Sequence, residues 1–188
     1  MTDSGSTVDD MSEVRIRPLR RAEYDVLVEH GMFDEDERIQ LLDGELVELS
    51  PQNVPHATVV ERLTEVLMPA LVGQARVRIQ LPLAAGECSE PEPDVAVVPA
   101  DAPRDEHPDR VLLVIEVSDS TLRLDLIRKA RIYAGAGFPE YWVIDVNAQQ
   151  VHVFTQPSAQ GYASAEVRGR DEELDACGVV LTLAQLMG

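Results

Sequence analysis

The hydrophobic pattern of this chain switches between helical and strand periods. Leu19, Tyr24, Leu27 and Val28 recur at helical spacing, which predicts a helix from Leu19 to Met32 ending near Gly31. From Ile39 to Leu49, Asp43-Gly44 sits between two alternating apolar runs, a hairpin signal, with Ser50-Pro51 closing it. Val59, Leu63, Val66, Leu67, Ala70 and Leu71 then line one face of a long amphipathic helix from Pro55 to Val72. Val77, Ile79 and Leu81 alternate with Arg76, Arg78 and Gln80, predicting a half-exposed strand from Ala75 to Leu83. After a loop at Ala85–Pro93, Asp94–Val98 reads as a short buried strand. The polar segment Pro99–Arg110, with prolines at 99, 103 and 108, reads as another loop.

Val111-Leu112-Leu113-Val114-Ile115 is an unbroken apolar run, which predicts a strand buried on both faces through Ser118. A helix from Thr121 to Ala136 follows, stopped by Gly135 and Gly137. Glu140–Asp145 and Val151–Phe154 read as adjacent strands turned around Asn147. Tyr162–Val167 and Gly178–Leu183 add edge strands, and Leu183–Met187 a last helical turn. There is no internal repeat. The order predicts an α/β fold with one central mixed sheet flanked by helices.

With 188 residues, the chain is long enough for one domain, set at residues 14–188. Residues 1–13 are polar and acidic and read as a flexible arm, with neither the basic nor the apolar region of a secretory signal. No apolar run approaches membrane-spanning length. Cys88 and Cys177 form no metal-binding spacing, so reduced thiols in a cytoplasmic protein are the expectation.

Charge constrains function more sharply. Sixteen Lys and Arg against 34 Asp and Glu give a formal net charge of −18, and without the arm's four acids still −14. Avid general DNA binding depends on neutralising phosphates, and this balance argues against it. A local basic groove or a metal-bridged substrate stays open.

Glu116 is the residue this pattern does not explain, because it lies inside the most apolar strand. Burying a carboxylate costs several kcal/mol unless a cation or donors compensate it. If the strands at Asp94–Val98 and Val111–Ser118 pair antiparallel, the start of one meets the end of the other. Asp94 and Glu116 then become neighbours. Two carboxylates about 4 Å apart repel by roughly 4 kcal/mol at an effective dielectric of about 20, so such pairs hold a cation or share a proton. Oxygen-only ligands suit Mg²⁺ or Mn²⁺ better than zinc. At about 100° per residue, Leu122, Leu126, Ile127, Ala130, Tyr133 and Ala134 share a helical arc with Lys129 on its border beside Asp125. There the amine could orient a water and stabilise charge developing on a phosphate. A blander reading makes Asp94 a turn residue after Pro93, and Asp125 and Lys129 an i,i+4 surface pair.

Several stretches together resemble the Uma-type "putative restriction endonuclease" family, a branch of the PD-(D/E)XK nuclease superfamily. They are Leu41–Glu45, Ser50-Pro51 with His56, Glu90–Asp94, Leu113–Ser118, Asp125 with Lys129, Tyr133–Gly137 and Glu140–Asp145. The resemblance runs in family order across roughly residues 20–155. It implies a restriction-endonuclease-like core and divalent-metal hydrolysis of phosphodiesters in nucleic acid, DNA foremost, with a homodimer suited to cutting two strands. Carried over, Asp94 and Glu116 hold Mg²⁺ or Mn²⁺, with Val117 counted among the metal positions. Lys129 acts on the attacking water from the helix rather than from position Ser118. Gln40 and Asp125 stand behind them. Gln40 occupies a position where the family pattern leads one to expect glutamate, and it removes a charge there. His56 is a packing or a catalytic histidine on equal terms, His30, His107 and His152 carry no pattern, and Tyr141 and Trp142 read as core. Two rivals remain: a non-catalytic nuclease-fold module that binds a partner, and a metal-dependent hydrolase of a smaller phosphoester.

Overall fold

A computed structural model describes residues 15–34, 37–49 and 51–188. The proposed arm at 1–13 and Ser50 lie outside the described residues. Six strands form the central sheet: β3 (Ala75–Ile79), β4 (Val95–Pro99), β5 (Leu113–Ser118), β6 (Glu140–Asp145), β7 (Gln150–Ser158) and β8 (Gly161–Gly169), side by side in chain order. Neighbours are antiparallel except β5 and β6, which are parallel. A parallel neighbour needs a crossover, and the helical segment between those two strands supplies it.

The two sheet faces are built from alternating residues. Val95, Val97, Leu113, Ile115 and Val117 pack with Trp142 and Ile144 against Val59, Leu63 and Leu67 of α2 (Val54–Ala70) and against Leu183 and Leu186 of α4 (Leu183–Met187). Ala96, Val98, Val114, Tyr141 and Val143 pack on the other face against Ala130, Ile132 and Tyr133 of α3 (Ala130–Gly135). Strands β4 to β6 are therefore covered on both sides, which accounts for their near-continuous apolar runs. Tyr141 and Trp142 are core residues, and Tyr133 and Tyr141 pack with ring centroids 4.9 Å apart.

Asp43-Gly44 turns the hairpin of β1 (Ile39–Leu42) and β2 (Glu45–Glu48), with φ of +50° and +79° at the two corner residues. Its core edge docks on the segment before β4, where the Glu90 N–H donates to the Leu41 carbonyl at 2.7 Å. At α1 (Arg21–Glu29) only Tyr24 is buried, and the Val28 expected on its inner face is half exposed. The second expected edge strand is not part of the main sheet. It is β10 (Val179–Thr182), paired with β9 (Glu173–Ala176), a four-residue strand whose alternation is too short to stand out in the sequence.

The helix expected from Thr121 to Ala136 is present, but its first part, Leu124–Lys129, is a π-helical turn running into α3. A π turn takes more residues per revolution than an α turn, so the 3.6-residue wheel misplaces the side chains it carries. Ile127, expected on the apolar arc, is 62% exposed, whereas Lys129, expected on its border, is 2% exposed.

Candidate metal centre at the β4–β5 end

The β4–β5 register pairs Val95 with Ile115, so Asp94, one residue before β4, falls opposite Glu116. Asp94, Glu116, Val117 and Lys129 line one cleft, together with His56, Gln52, Glu92, Asp119 and Arg38. The cleft is narrow, about 50 Å³, room for a few waters.

Each acid in it is held differently. Asp94 Oδ2 accepts from the Val117 N–H at 2.8 Å and from His56 Nε2 at 2.9 Å. Its Oδ1 faces the amides of Gln52 and Gln80 at the longer distances of 3.3 and 3.5 Å. His56 reaches Asp94 from the first turn of α2, where Asn53 caps the helix by accepting from the His56 N–H. Among the described residues His56 Nδ1 has no partner. Glu116 Oε1 accepts from Lys129 Nζ at 2.8 Å and from the Tyr133 hydroxyl at 2.7 Å. Behind Lys129, Asp125 lies 3.6 Å from the ammonium and accepts from Ser118 at 2.5 Å and Thr121 at 2.7 Å.

Asp125 and Lys129 are thus a buried arrangement and not the surface pair of the blander reading. The π turn brings both to the sheet, at 2% exposure each. Burial first, and the neighbouring Asp125 and Asp94 carboxylates after it, push the Glu116 carboxyl up to about 8 against the pull of Lys129. Burial works against the Lys129 ammonium, yet Glu116 and Asp125 outweigh it and hold Lys129 above its ordinary value. Tyr133 is pushed well up, by burial and then by Glu116, so its hydroxyl stays a donor.

Gln40 does not line the cleft. It is buried on β1, where its Nε2 donates to the Glu92 carbonyl at 3.3 Å, and its Oε1 has no partner among the described residues. Val117 points its side chain into the core and commits its N–H to Asp94, so only its carbonyl could serve a cation. Sequence reasoning missed the Tyr133 hydroxyl, taken as part of an apolar arc, and the carboxylate of Glu92. The only signal for Glu92 was its place between two prolines just before Asp94.

The residues fit a hard divalent cation. The donor set is all oxygen, Glu116 Oε2 takes no hydrogen bond among the described residues, and the long amide contacts to Asp94 Oδ1 are weak enough to exchange.

A larger groove of about 1050 Å³ adjoins the cleft through Glu92, and eight carboxylates line it against three arginines. Among the described residues, Asp25, Glu90 and His107 in that groove are the one trio of acid or imidazole ligand atoms within 4.8 Å of one another. Glu90 is already paired with Arg21 at 2.9 Å and His107 at 3.4 Å.

A mixed sheet of this topology, flanked by helices and opening at the Asp94–Glu116 end, defines a restriction-endonuclease-like α/β protein. The chain belongs to the family described as "Uma2: Putative restriction endonuclease", whose pattern it matches over residues 21–185. A "putative nuclease belonging to DUF820 from Anabaena variabilis ATCC 29413" shares the fold, with a TM-score of 0.70 over 90% of this chain and 98% of that one at 16% identity. No curated protein matches the sequence.

Proposed function

We propose that the cleft is the active centre of a divalent-metal-dependent nuclease that hydrolyses phosphodiester bonds. One observation carries this reading: Asp94 and Glu116, opposite each other at a strand end, share a cleft with a buried lysine bonded to one of them. Asp94, Glu116 and the Val117 carbonyl would hold Mg²⁺ or Mn²⁺. Bound there, such a cation supplies Lewis acidity and a more acidic water. Lys129, on the wall of the same cleft, would orient a water and offer its positive charge to the phosphate. Tyr133 keeps Glu116 in its rotamer, and Asp125, anchored by Ser118 and Thr121, keeps Lys129 in reach. His56 fixes the Asp94 carboxylate.

Calorimetric titration of the wild type with Mg²⁺ and Mn²⁺, beside Asp94→Ala, tests the reading together with cleavage of single- and double-stranded DNA and RNA in Mn²⁺. Binding and cleavage in the wild type, both lost in Asp94→Ala, support it. A wild type that binds neither ion overturns it.

A second reading, hydrolysis of a smaller phosphoester, draws on the acid-lined groove beside the cleft. A polynucleotide laid along that groove would meet repulsion, whereas a short substrate entering the cleft alone would not. Cleavage of a small aryl phosphodiester without cleavage of any polynucleotide would decide for it.

A further inference from the structure

An anionic substrate has to enter a cleft whose wall is mostly acidic. Carboxylates of Glu92, Asp94, Glu116 and Asp119 line it against two permanent cations, Lys129 and Arg38. Lys129 is bonded to Glu116, stands 3.6 Å from Asp125 and is 2% exposed, so it serves only a group already seated at depth. A divalent cation at Asp94 and Glu116 would cancel those two charges. Glu92 and Asp119 then stand against Lys129 and Arg38, and a phosphodiester adds one more negative charge. Arg38, half-buried where Lys129 is enclosed, is the cation that an incoming phosphate can meet.

The hairpin builds the place of Arg38. It immediately precedes β1, and the Leu49 N–H donates to its carbonyl at 2.9 Å, carrying the β1–β2 ladder one pair past Ile39 and Glu48. Strand alternation puts residues 38 and 40 on one face. Gln40 on that face reaches the Glu92 carbonyl, so Arg38 stands beside the segment that leads into Asp94. Burial raises the Glu92 carboxyl, and the first pull against it comes from Arg38.

We propose that Arg38 is the residue that captures the substrate's phosphate, beside the cation site and ahead of Lys129. The inference deepens the phosphodiester reading above and rests on it. A guanidinium presents its donors in a planar fork that matches two phosphate oxygens. The adjoining groove, with eight carboxylates, repels a polyanion along its length, so the hold falls on the one phosphate at Arg38.

The test is steady-state hydrolysis of bis(4-nitrophenyl) phosphate and of oligothymidylate in Mn²⁺ by the full chain, with Mn²⁺ calorimetry alongside. Four forms are compared: wild type, Arg38→Gln, Arg38→Lys and Arg110→Gln. Arg110 pairs with Asp101 on the exposed surface outside the cleft, so its variant removes an equal charge elsewhere. Arg38→Gln raises KM by about 10-fold, the scale of one charge-assisted hydrogen bond, and leaves kcat within about twofold. It binds Mn²⁺ at least as tightly as the wild type, since a nearby positive charge has gone. Arg38→Lys keeps the charge and recovers part of the KM, and Arg110→Gln matches the wild type. Equal KM values for Arg38→Gln and Arg110→Gln, or a fall in kcat at unchanged KM, overturn the capture role and leave the metal centre standing. So does a wild type that binds Mn²⁺ but saturates with neither substrate. A wild type that binds no Mn²⁺ removes the metal-dependent reading and this inference with it.

Discussion

Lys129 Nζ donates to Glu116 Oε1 at 2.8 Å across an interior that leaves neither side chain more than 5% exposed. Removing one partner of such a pair strands the other in a poor solvent. Lys129→Met keeps the side-chain stem but leaves Glu116 with only the Tyr133 hydroxyl. Without metal, the variant keeps Glu116 protonated to higher pH, so it loses more stability at pH 8, where the wild-type carboxyl begins to gain from its ion pair with Lys129, than at pH 5, where both forms hold the proton. Activity falls by about 10²-fold or more at either pH. Urea denaturation at the two pH values, with parallel rate measurements, checks both halves. Equal stability loss at pH 5 and pH 8 would contradict the pairing.

Glu116 also sets a pH dependence of the metal-free fold. Its carboxyl is raised to about 8, so the folded chain holds a proton that the unfolded chain has released above its ordinary range near 4.5. When the folded state binds more protons, stability falls as pH rises. This contribution is therefore full below about pH 4.5 and is lost progressively up to about pH 8. Melting temperatures in EDTA decline across that window in the wild type relative to Glu116→Gln, which has no proton to lose. Parallel curves for the two proteins would refute the assignment.

A cation entering the cleft competes with that same proton. Binding releases protons, and affinity for Mg²⁺ or Mn²⁺ rises from pH 6 to pH 8. Calorimetry in buffers of different ionisation enthalpy reads the release directly. Identical apparent enthalpies in all buffers at pH 7 would mean that no proton leaves and that Glu116 is not at the ion.

The sheet was legible in the sequence because its central strands are covered on both faces and its hairpins carry turn residues such as Asp43-Gly44. The facing of Asp94 and Glu116 followed from connectivity: a loop between two buried strands that pair antiparallel brings start to end. Lys129 was legible as a residue but not as a buried one, because the π turn departs from the period on which a helical wheel depends. β9 was not read, since its alternation spans only four residues, Glu173-Leu174-Asp175-Ala176, with Leu174 its one large apolar side chain. Glu92 was hidden for another reason: its place on the cleft wall depends on elements distant in sequence, which no local pattern reports.

Asp125 separates the buried reading of the π turn from the surface reading that its i,i+4 spacing suggested. A surface Asp–Lys pair is worth about 0.5 kcal/mol, and its removal would scarcely be noticed. Here the carboxylate accepts from Ser118 and Thr121 and stands 3.6 Å from a lysine that is 2% exposed. Asp125→Asn keeps the shape and can keep its carbonyl on Ser118 and Thr121, which share one oxygen, but it then turns an amide N–H donor toward the Lys129 ammonium. That donor finds no acceptor there, and Lys129 loses one of its two buried countercharges. The expected cost is about 2 kcal/mol, the scale of a buried donor left unsatisfied. Thr121→Ala removes a single donor from the same carboxylate and costs about 1 kcal/mol. The double variant departs from the sum of the two, because the two side chains are in direct contact. Chemical denaturation of the four proteins measures this cycle. An Asp125→Asn loss near 0.5 kcal/mol with strict additivity would return Asp125 and Lys129 to the surface and remove the support on which the lysine's reach toward Glu116 depends.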